Sequence, residues 1–349
     1  MKLSQTATSA TSVLRSRSRP ITASIVLVGG IVALIFGLGL SISVGAANIE
    51  LSTVWAAVFF YKPNLTTHQI IWELRLPRAV AGAIVGACFA VAGALMQGMT
   101  RNPLADSGLL GLNAGSVFAI ALCFAFFPDL PYIYLILFSF LGAGLGSGLV
   151  FGIGAFARNG MTPIRLALSG AAVSALLVAL SEGIANYYQV AQDMAFYYAG
   201  GLAGTKWFQL QWMFPWVAAA LIGAMVLSRP ITMLSLGEEV ARGLGQRTAR
   251  IKLLATIVVL ILAGTAVSAI GSVGFVGLLI PHVVRYLVGV DYRWIIPCSA
   301  VMGGLLVVLA DLGARMVNPP YETPLNALIA LIGIPFFLFL ARKGRRELE

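Results

Sequence analysis

The sequence predicts an all-α, polytopic membrane protein of about ten transmembrane helices, and three observations carry that expectation. Of the 349 residues, 59% are hydrophobic and only 10% are charged, whereas a soluble domain carries about a quarter charged residues. The apolar residues fall into runs long enough for a helix to cross about 30 Å of hydrocarbon at 1.5 Å per residue. Lys and Arg are then divided unevenly between alternate connections. With a cytoplasmic N-terminus, the inner side collects Lys2, Arg15, Arg17, Arg19, Arg101, Arg158, Arg165, Arg229, Arg242, Arg247, Arg250, Lys252, Arg285, Arg293, Arg342, Lys343, Arg345 and Arg346. The outer side keeps only Lys62, Arg75, Arg78, Lys206 and Arg315 of the 23 basic residues. The positive-inside rule demands such a split, and an even number of spans returns the C-terminus to the cytoplasm. Topology thus accounts for the formal net charge of +10, with no nucleic acid needed as a partner.

The runs lie at about 21–44, 78–99, 107–127, 131–157, 164–190, 210–228, 251–271, 273–290, 294–316 and 325–341. No linker separates soluble units, so residues 1–349 form a single membrane domain, with 1–20 a cytoplasmic tail and 229–250 a cytoplasmic loop. The first run exceeds the roughly 7–15 apolar residues of a cleaved leader and reads as an anchor that stays. The second carries small residues at helical spacing (Ala79, Gly82, Ala83, Gly86, Ala90, Gly93, Ala94), as does the fourth (Gly142, Gly144, Gly146, Gly148, Gly152). Such faces let membrane helices approach closely. Residues 195–207 read as a short amphipathic helix and turn near the outer surface. The eighth run opens with glycines and contains Pro281, which predicts a kink or an unwound piece. Two sets of five spans would be related as inverted repeats, because an odd number of spans flips the second copy.

The polar residues are few. In the inner loop 235–250, Ser235 and Glu238 fit a capping box, and Leu236, Val240 and Leu244 form one apolar stripe. This predicts a short surface helix with an exposed knob for a cytosolic partner. Within the spans, Asp311 is placed to pair with Arg315 one turn on. Glu182 has two readings: it lines a path with Asn186 and Gln189, or it hydrogen-bonds between helices. Cys88, Cys123 and Cys298 are isolated, and His68 and His282 form no HExxH pattern, so neither a disulfide framework nor a zinc site is indicated. There is no GxxxxGK[ST] phosphate cradle, so ATP chemistry must come from another subunit.

RLPRAVAGAIVGACFAVAGALMQGMTRNPLADSGLLGLNAG (75–115), GSVGFVGLLIPHVVRYLVGVDYRWIIP (271–297) and ADLGAR (310–315) resemble the FecCD family of ABC importer permeases, over nearly the whole chain. That resemblance implies a type II ABC importer permease fold and uptake of an iron-siderophore, heme or cobalamin. It also implies a conduit, not an enzyme, with no cofactor bound directly and ATP held by the ATPase. The partners it implies are a second permease subunit, identical or related, two cytosolic ATPases and an extracytoplasmic binding protein. Carried over by motif, Arg75, Arg78 and Arg315 would dock the binding protein. Asn102 and Leu104 in NPLA, with Met161 and Thr162 in MTPIR, would form the cytoplasmic gate. Glu238, Ala241, Arg242, Gly243 and Leu244 would couple to the ATPase. The chain departs from the siderophore permeases' FWxxGSL, placing Tyr197 and Gly201 at the Trp and Ser positions. A rival from another class is a proton-coupled secondary transporter working through Glu182, which would need no ATPase and would fail with a protonophore.

Overall fold

The computed structural model describes residues 19–44, 49–155, 163–199, 201–319 and 321–346, and these are helical apart from short connections. In order they are α1 (Pro20–Ser43), α2 (Leu51–Phe59), α3 (Thr66–Ile70), a π-helical turn (Ile71–Arg75), α4 (Leu76–Thr100), a 3-10 turn (Ser107–Leu110), α5 (Leu112–Phe126), α6 (Tyr132–Ala155), α7 (Pro163–Tyr187) and α8 (Ala191–Ala199). Then follow α9 (Trp207–Leu236), α10 (Glu238–Gly243), α11 (Thr248–Ile270), α12 (Val276–Val288), α13 (Tyr292–Val317) and α14 (Leu325–Arg346). Seven of these helical stretches are long and apolar enough to cross a membrane, and α5, α12 and the Leu325–Leu338 part of α14 are shorter apolar helices. Together they account for the ten expected runs.

The packing repeats itself. In the first half α5, α6 and α7 pack on one another, and in the second α12, α13 and α14 do the same. Across the halves α4 packs on α12 and α13, while α11 packs on α5 and α6. Each relation maps onto its counterpart by a shift of five spans, the arrangement that a two-fold repeat of five helices requires.

α4 is the axis of this arrangement, buried along nearly its whole length. Its small residues permit that. A methyl carbon on Gly86 would overlap the Gly303 carbonyl, and one on Gly93 would overlap the Gly277 carbonyl. The glycine-rich face of α6 divides in two: Gly142 and Gly146 meet the backbone of Gly115 and Gly111 on α5, whereas Gly144, Gly148 and Gly152 have open space around them.

α12 has only 13 residues, about 20 Å of helix, too short to span the hydrocarbon. The unwound piece lies before it, at Gly271–Phe275, and not at Pro281; the helix is continuous through that proline. The reason is visible in the hydrogen bonds. Proline cannot donate to the carbonyl four residues back, which here belongs to Gly277, and Gln97 Nε2 of α4 donates to that carbonyl instead at 3.2 Å. The unwound stretch is satisfied in a similar way. Gly201 N donates to Ile270 O at 3.1 Å and Ser272 N to Tyr197 O at 3.2 Å. Asn326 Nδ2 donates to Ser272 O at 2.6 Å, and its Oδ1 accepts from Gly274 N at 3.3 Å. Residue 271 must be glycine: its φ is +79°, and a side chain would collide with the Tyr197 backbone.

If Gln97 substitutes for the missing proline N–H, the two positions are coupled. Gln97→Leu should cost about 1–3 kcal/mol, the penalty of an orphaned buried acceptor. In a Pro281→Ala background, where an N–H is restored to Gly277 O, the same change should cost measurably less. Thermal unfolding of the four variants in detergent tests this, and strictly additive effects would refute it.

Candidate functional site

The predicted outer arginines converge at the C-terminal end of α13. Arg78, near the start of α4, donates from Nε and Nη2 to Asp311, with Nη2 to Oδ1 at 2.8 Å, and from Nη1 to Glu322. Arg315 reaches Asp311 at 3.3 Å, as its spacing predicted, and donates from Nη2 to Ser41 Oγ at 2.7 Å. Arg75 donates from Nη1 to the carbonyls of Ile42 and Ser43 at 2.7 and 2.9 Å. These carbonyls belong to the last turn of α1, whose last four C=O groups have no partner within the helix. The arginines therefore hold α1, α4 and α13 together. Only 13% of the Arg78 side chain and 11% of the Arg315 side chain are exposed, so most of their hydrogen-bonding capacity is used internally. Arg75 and Arg78 are separated by the change from π- to α-helical winding and do not share a partner among these bonds. A cleft of about 140 Å³ opens beside them, lined by Arg78, Gly201, Asp311, Glu322 and Thr323 among others.

An aromatic cluster caps the same end. Tyr61 meets Trp72 edge-on at 5.7 Å, and Trp72 lies 5.6 Å from Trp207. Both indole N–H groups donate to main-chain carbonyls, Trp72 to Ala57 O and Trp207 to Trp72 O, each at 2.6 Å. Such amphipathic rings favour the boundary between hydrocarbon and water.

The 235–250 loop lies at the opposite end. α10 is short, and Leu236, Val240 and Leu244 are exposed at 58%, 50% and 65%, the stripe that the sequence predicted. The capping box does not form. α9 extends to Leu236, so Ser235 sits in its last turn and donates to Thr232 O at 2.7 Å, while Gly237 caps α10. Glu238 anchors the loop, pairing with Arg242 at 2.8 Å and Lys252 at 2.7 Å. The hydrogen bond from Lys252, followed by the nearby charges, holds its carboxyl below the usual carboxylate range. Ala241 is fully buried, Arg242 and Gly243 are exposed, and the chain turns at Gly245 with φ +83°.

Asn102 and Leu104 form a local turn, in which Asn102 Oδ1 accepts from Leu104 N at 3.0 Å. Met161 and Thr162 lie outside the described residues. Glu182, Asn186 and Gln189 are exposed at the C-terminal end of α7 and just beyond it, with Gln189 donating to Asn186 O at 2.8 Å. Glu182 makes no interhelical hydrogen bond within the described residues.

Sequence reasoning missed a polar network deep in the bundle. Arg285 of α12 donates to Gln97 Oε1 at 3.1 Å and to the Tyr292 hydroxyl at 2.9 Å, and Tyr292 N donates to Thr232 Oγ1 at 3.0 Å. It ties α4, α9, α12 and α13 together below the break. Its sequence signals are Gln97 within an otherwise apolar and small-residue run and Arg285 within the eighth apolar run. Among the described residues no group of three or more His, Cys, Asp or Glu side chains comes together to hold a metal ion.

The FecCD transport family model matches residues 16–343. The iron(3+)-hydroxamate import system permease protein FhuB of Bacillus subtilis is 54% identical over 331 residues, covering 95% of this chain and 86% of that protein. The hemin transport system permease protein HmuU of Yersinia pestis is 32% identical over 91% of this chain and 95% of its own length. A solved structure of a metal-chelate type ABC transporter, in an inward-facing conformation, superposes with a TM-score of 0.77 at 28% identity over 91% of this chain and 98% of that chain.

The arginine cluster yields a stability prediction. Arg78→Leu leaves Asp311 buried with only Arg315, at 3.3 Å, so the loss should stay below the roughly 3–5 kcal/mol of a buried charge left wholly unpaired. Arg78→Lys keeps the charge but not the fork geometry and should cost part of that. A melting temperature in detergent unmoved by Arg78→Leu would show that the cluster does not hold the helices.

Proposed function

The chain belongs to the FecCD transport family and is a multi-pass permease subunit of an ABC importer, not its ATPase, and from that premise we propose that its cargo is a ferric siderophore of the hydroxamate class. The observation that carries this is the 54% identity to a ferric hydroxamate permease over 95% of the chain. The hemin permease, at 32%, supports the heme alternative less strongly.

In the proposed orientation the loop 235–250 faces the cytoplasm. Arg19, Arg101, Arg247, Arg250 and Arg293 belong to the connections and helix termini at that end, as the positive-inside rule expects. The arginine and aromatic end faces outward and receives the binding protein. Its cleft, with Glu322 at the rim, offers an entry for partner carboxylates that compete with Asp311 and Glu322 for the guanidinium groups. Docking there would bear directly on the junction of α1, α4 and α13. Two copies of the chain, or this chain and a relative, enclose the path, and Glu182, Asn186 and Gln189 line its outer mouth. Asn102 and Leu104, together with Met161 and Thr162, narrow it at the cytoplasmic side. The exposed stripe Leu236, Val240 and Leu244 seats in the ATPase, so that nucleotide-driven closure shifts the bundle between two states.

Reconstituted in liposomes with its partner subunits, the chain should import a ferric hydroxamate only when ATP is inside; import driven by a proton gradient alone would overturn the reading. At the coupling loop, Leu244→Asp places a charge on the seated stripe, and loss of about 2–5 kcal/mol at the joint should abolish co-purification of the ATPase while the permease melts normally. Retention of the ATPase would remove the loop from the interface. At the outer end, Arg75→Glu should slow association of the binding protein more at low than at high salt, and a rate indifferent to both would place the dock elsewhere.

A further inference from the structure

α2 (Leu51–Phe59) belongs to none of the ten spans, yet it contains no charged residue. Its inward side is covered. Val54 and Ala57 are buried in a small apolar cluster with Ile42, Ile71 and Ala79, and Trp72 Nε1 donates to Ala57 O at 2.6 Å. Its other side is bare. Leu51, Trp55 and Phe59 recur one turn apart and are 56%, 64% and 59% exposed, and Phe60 follows them, also exposed. The rings of Trp55 and Phe59 lie against each other with centroids 4.3 Å apart. Charge appears only beyond the ends of the stripe, at Glu50 and Lys62.

The neighbours of the stripe fix its depth. α1 has 24 residues, about 36 Å of helix, which exceeds the roughly 30 Å of hydrocarbon, so its end at Ser43 stands at the membrane boundary. Ile49 N donates to Ser43 O at 3.1 Å, and α2 therefore starts beside that end. A methyl carbon on Gly39, one turn back inside α1, would meet Leu51 Cδ1 at 3.7 Å. Gly39 shares a helix face with Val28, Val32 and Ile35, one to three turns earlier, and all three are exposed. The stripe thus continues the bare apolar face of a membrane span. A protein partner that docks and leaves would return four large apolar side chains to water at each departure, and water-exposed surfaces rarely carry such a patch. Lipid is always present, and tryptophan favours its boundary with water.

We propose that α2 is an interfacial anchor, lying along the membrane boundary at the arginine-rich end with Leu51, Trp55 and Phe59 inserted among the lipid acyl chains just below the headgroups. Helices of this kind bury their apolar face about 5–10 Å into the boundary; here the opposite face rests on the protein instead of on water. Through the bond from Trp72 to Ala57 O, the anchor sets the depth of the π-helical turn that carries Arg75. The inference goes beyond the transport reading and depends on neither the cargo nor an ATPase.

The full-length chain reconstituted in phosphatidylcholine vesicles tests this through Trp55 itself, whose emission is the part lost in the conservative variant Trp55→Phe. Acyl chains brominated near the headgroup should remove most of that component, chains brominated near their ends should remove less, and aqueous iodide should leave it almost intact. A second readout is a polarity-sensitive fluorophore on Phe59→Cys, which can be labelled selectively because Cys88, Cys123 and Cys298 are buried. Its emission should lie to the blue of the same label on Asn64→Cys, in the exposed turn beyond Lys62. Quenching of Trp55 by iodide but not by bromolipid, or a Phe59→Cys label as red as that on Asn64→Cys, would place the stripe in water and overturn the proposal. Shielding from both quenchers, or a Phe59→Cys thiol that never reacts, would give the stripe to a second copy of the chain. Shielding from iodide that appears only when the binding protein is added would give it to that partner. Either outcome would equally remove the anchor.

Discussion

Hydrocarbon offers no hydrogen bonds, so a span that departs from regular helix survives only where other parts of the protein satisfy its backbone. The stretch from Gly271 to Pro281 meets that constraint with groups drawn from across the chain: Gln97 from α4, Tyr197 and Gly201 around α8, and Asn326 from α14. Much of the fold can be read as the scaffold that brings these groups to one place. α4 approaches α12 at backbone distance because Gly93 faces Gly277. Gln97, one turn along, is thereby placed at the carbonyl that Pro281 leaves without a donor.

The two ends of the bundle are held by different chemistry. At one, three guanidinium groups and a buried carboxylate bind helices that are far apart in sequence; Arg78 and Asp311 are separated by 233 positions. At the other, Glu238 holds a short loop by ion pairs exposed to water, and surface pairs of this kind contribute little stability. The first end is thus suited to transmit force between helices, and the second to adjust its local shape while presenting an apolar stripe. α13 and the network of Gln97, Arg285 and Tyr292 connect them.

Much of this was legible in the sequence because the decisive signals are local. Span number follows from run length, and the leucine stripe of the 235–250 loop follows from helical periodicity. The partner of Arg78 was not legible. Sequence spacing offered Asp311 a neighbour four residues away in Arg315, and nothing in one dimension points to a second arginine more than two hundred positions earlier. The glycines of α6 show the same limit: all five have the composition of a packing face, but only Gly142 and Gly146 find a partner helix, and which ones do is decided by how α5 lies against it. Ser235 misled for a related reason. The capping pattern is correct chemistry, but α9 is longer than its apolar run and absorbs the serine into its last turn. Pro281 identified the right span, but the unwound piece lies ahead of it, and the helix continues through the proline where Gln97 serves the carbonyl left without a donor.

The hydrogen bonds of Asn326 also bear on how the chain is made. Gly274 N and Ser272 O find this partner 52 and 54 residues later in the chain, at the start of the last span. While synthesis proceeds from the N-terminus, the break enters the membrane region before the side chain that pairs with it has arrived there. Until the last helix arrives, those backbone groups must be served by water or by a transient insertion partner. The unwound stretch would then have all these partners only when α14 is in place, which makes that helix a closing element of the break during biogenesis.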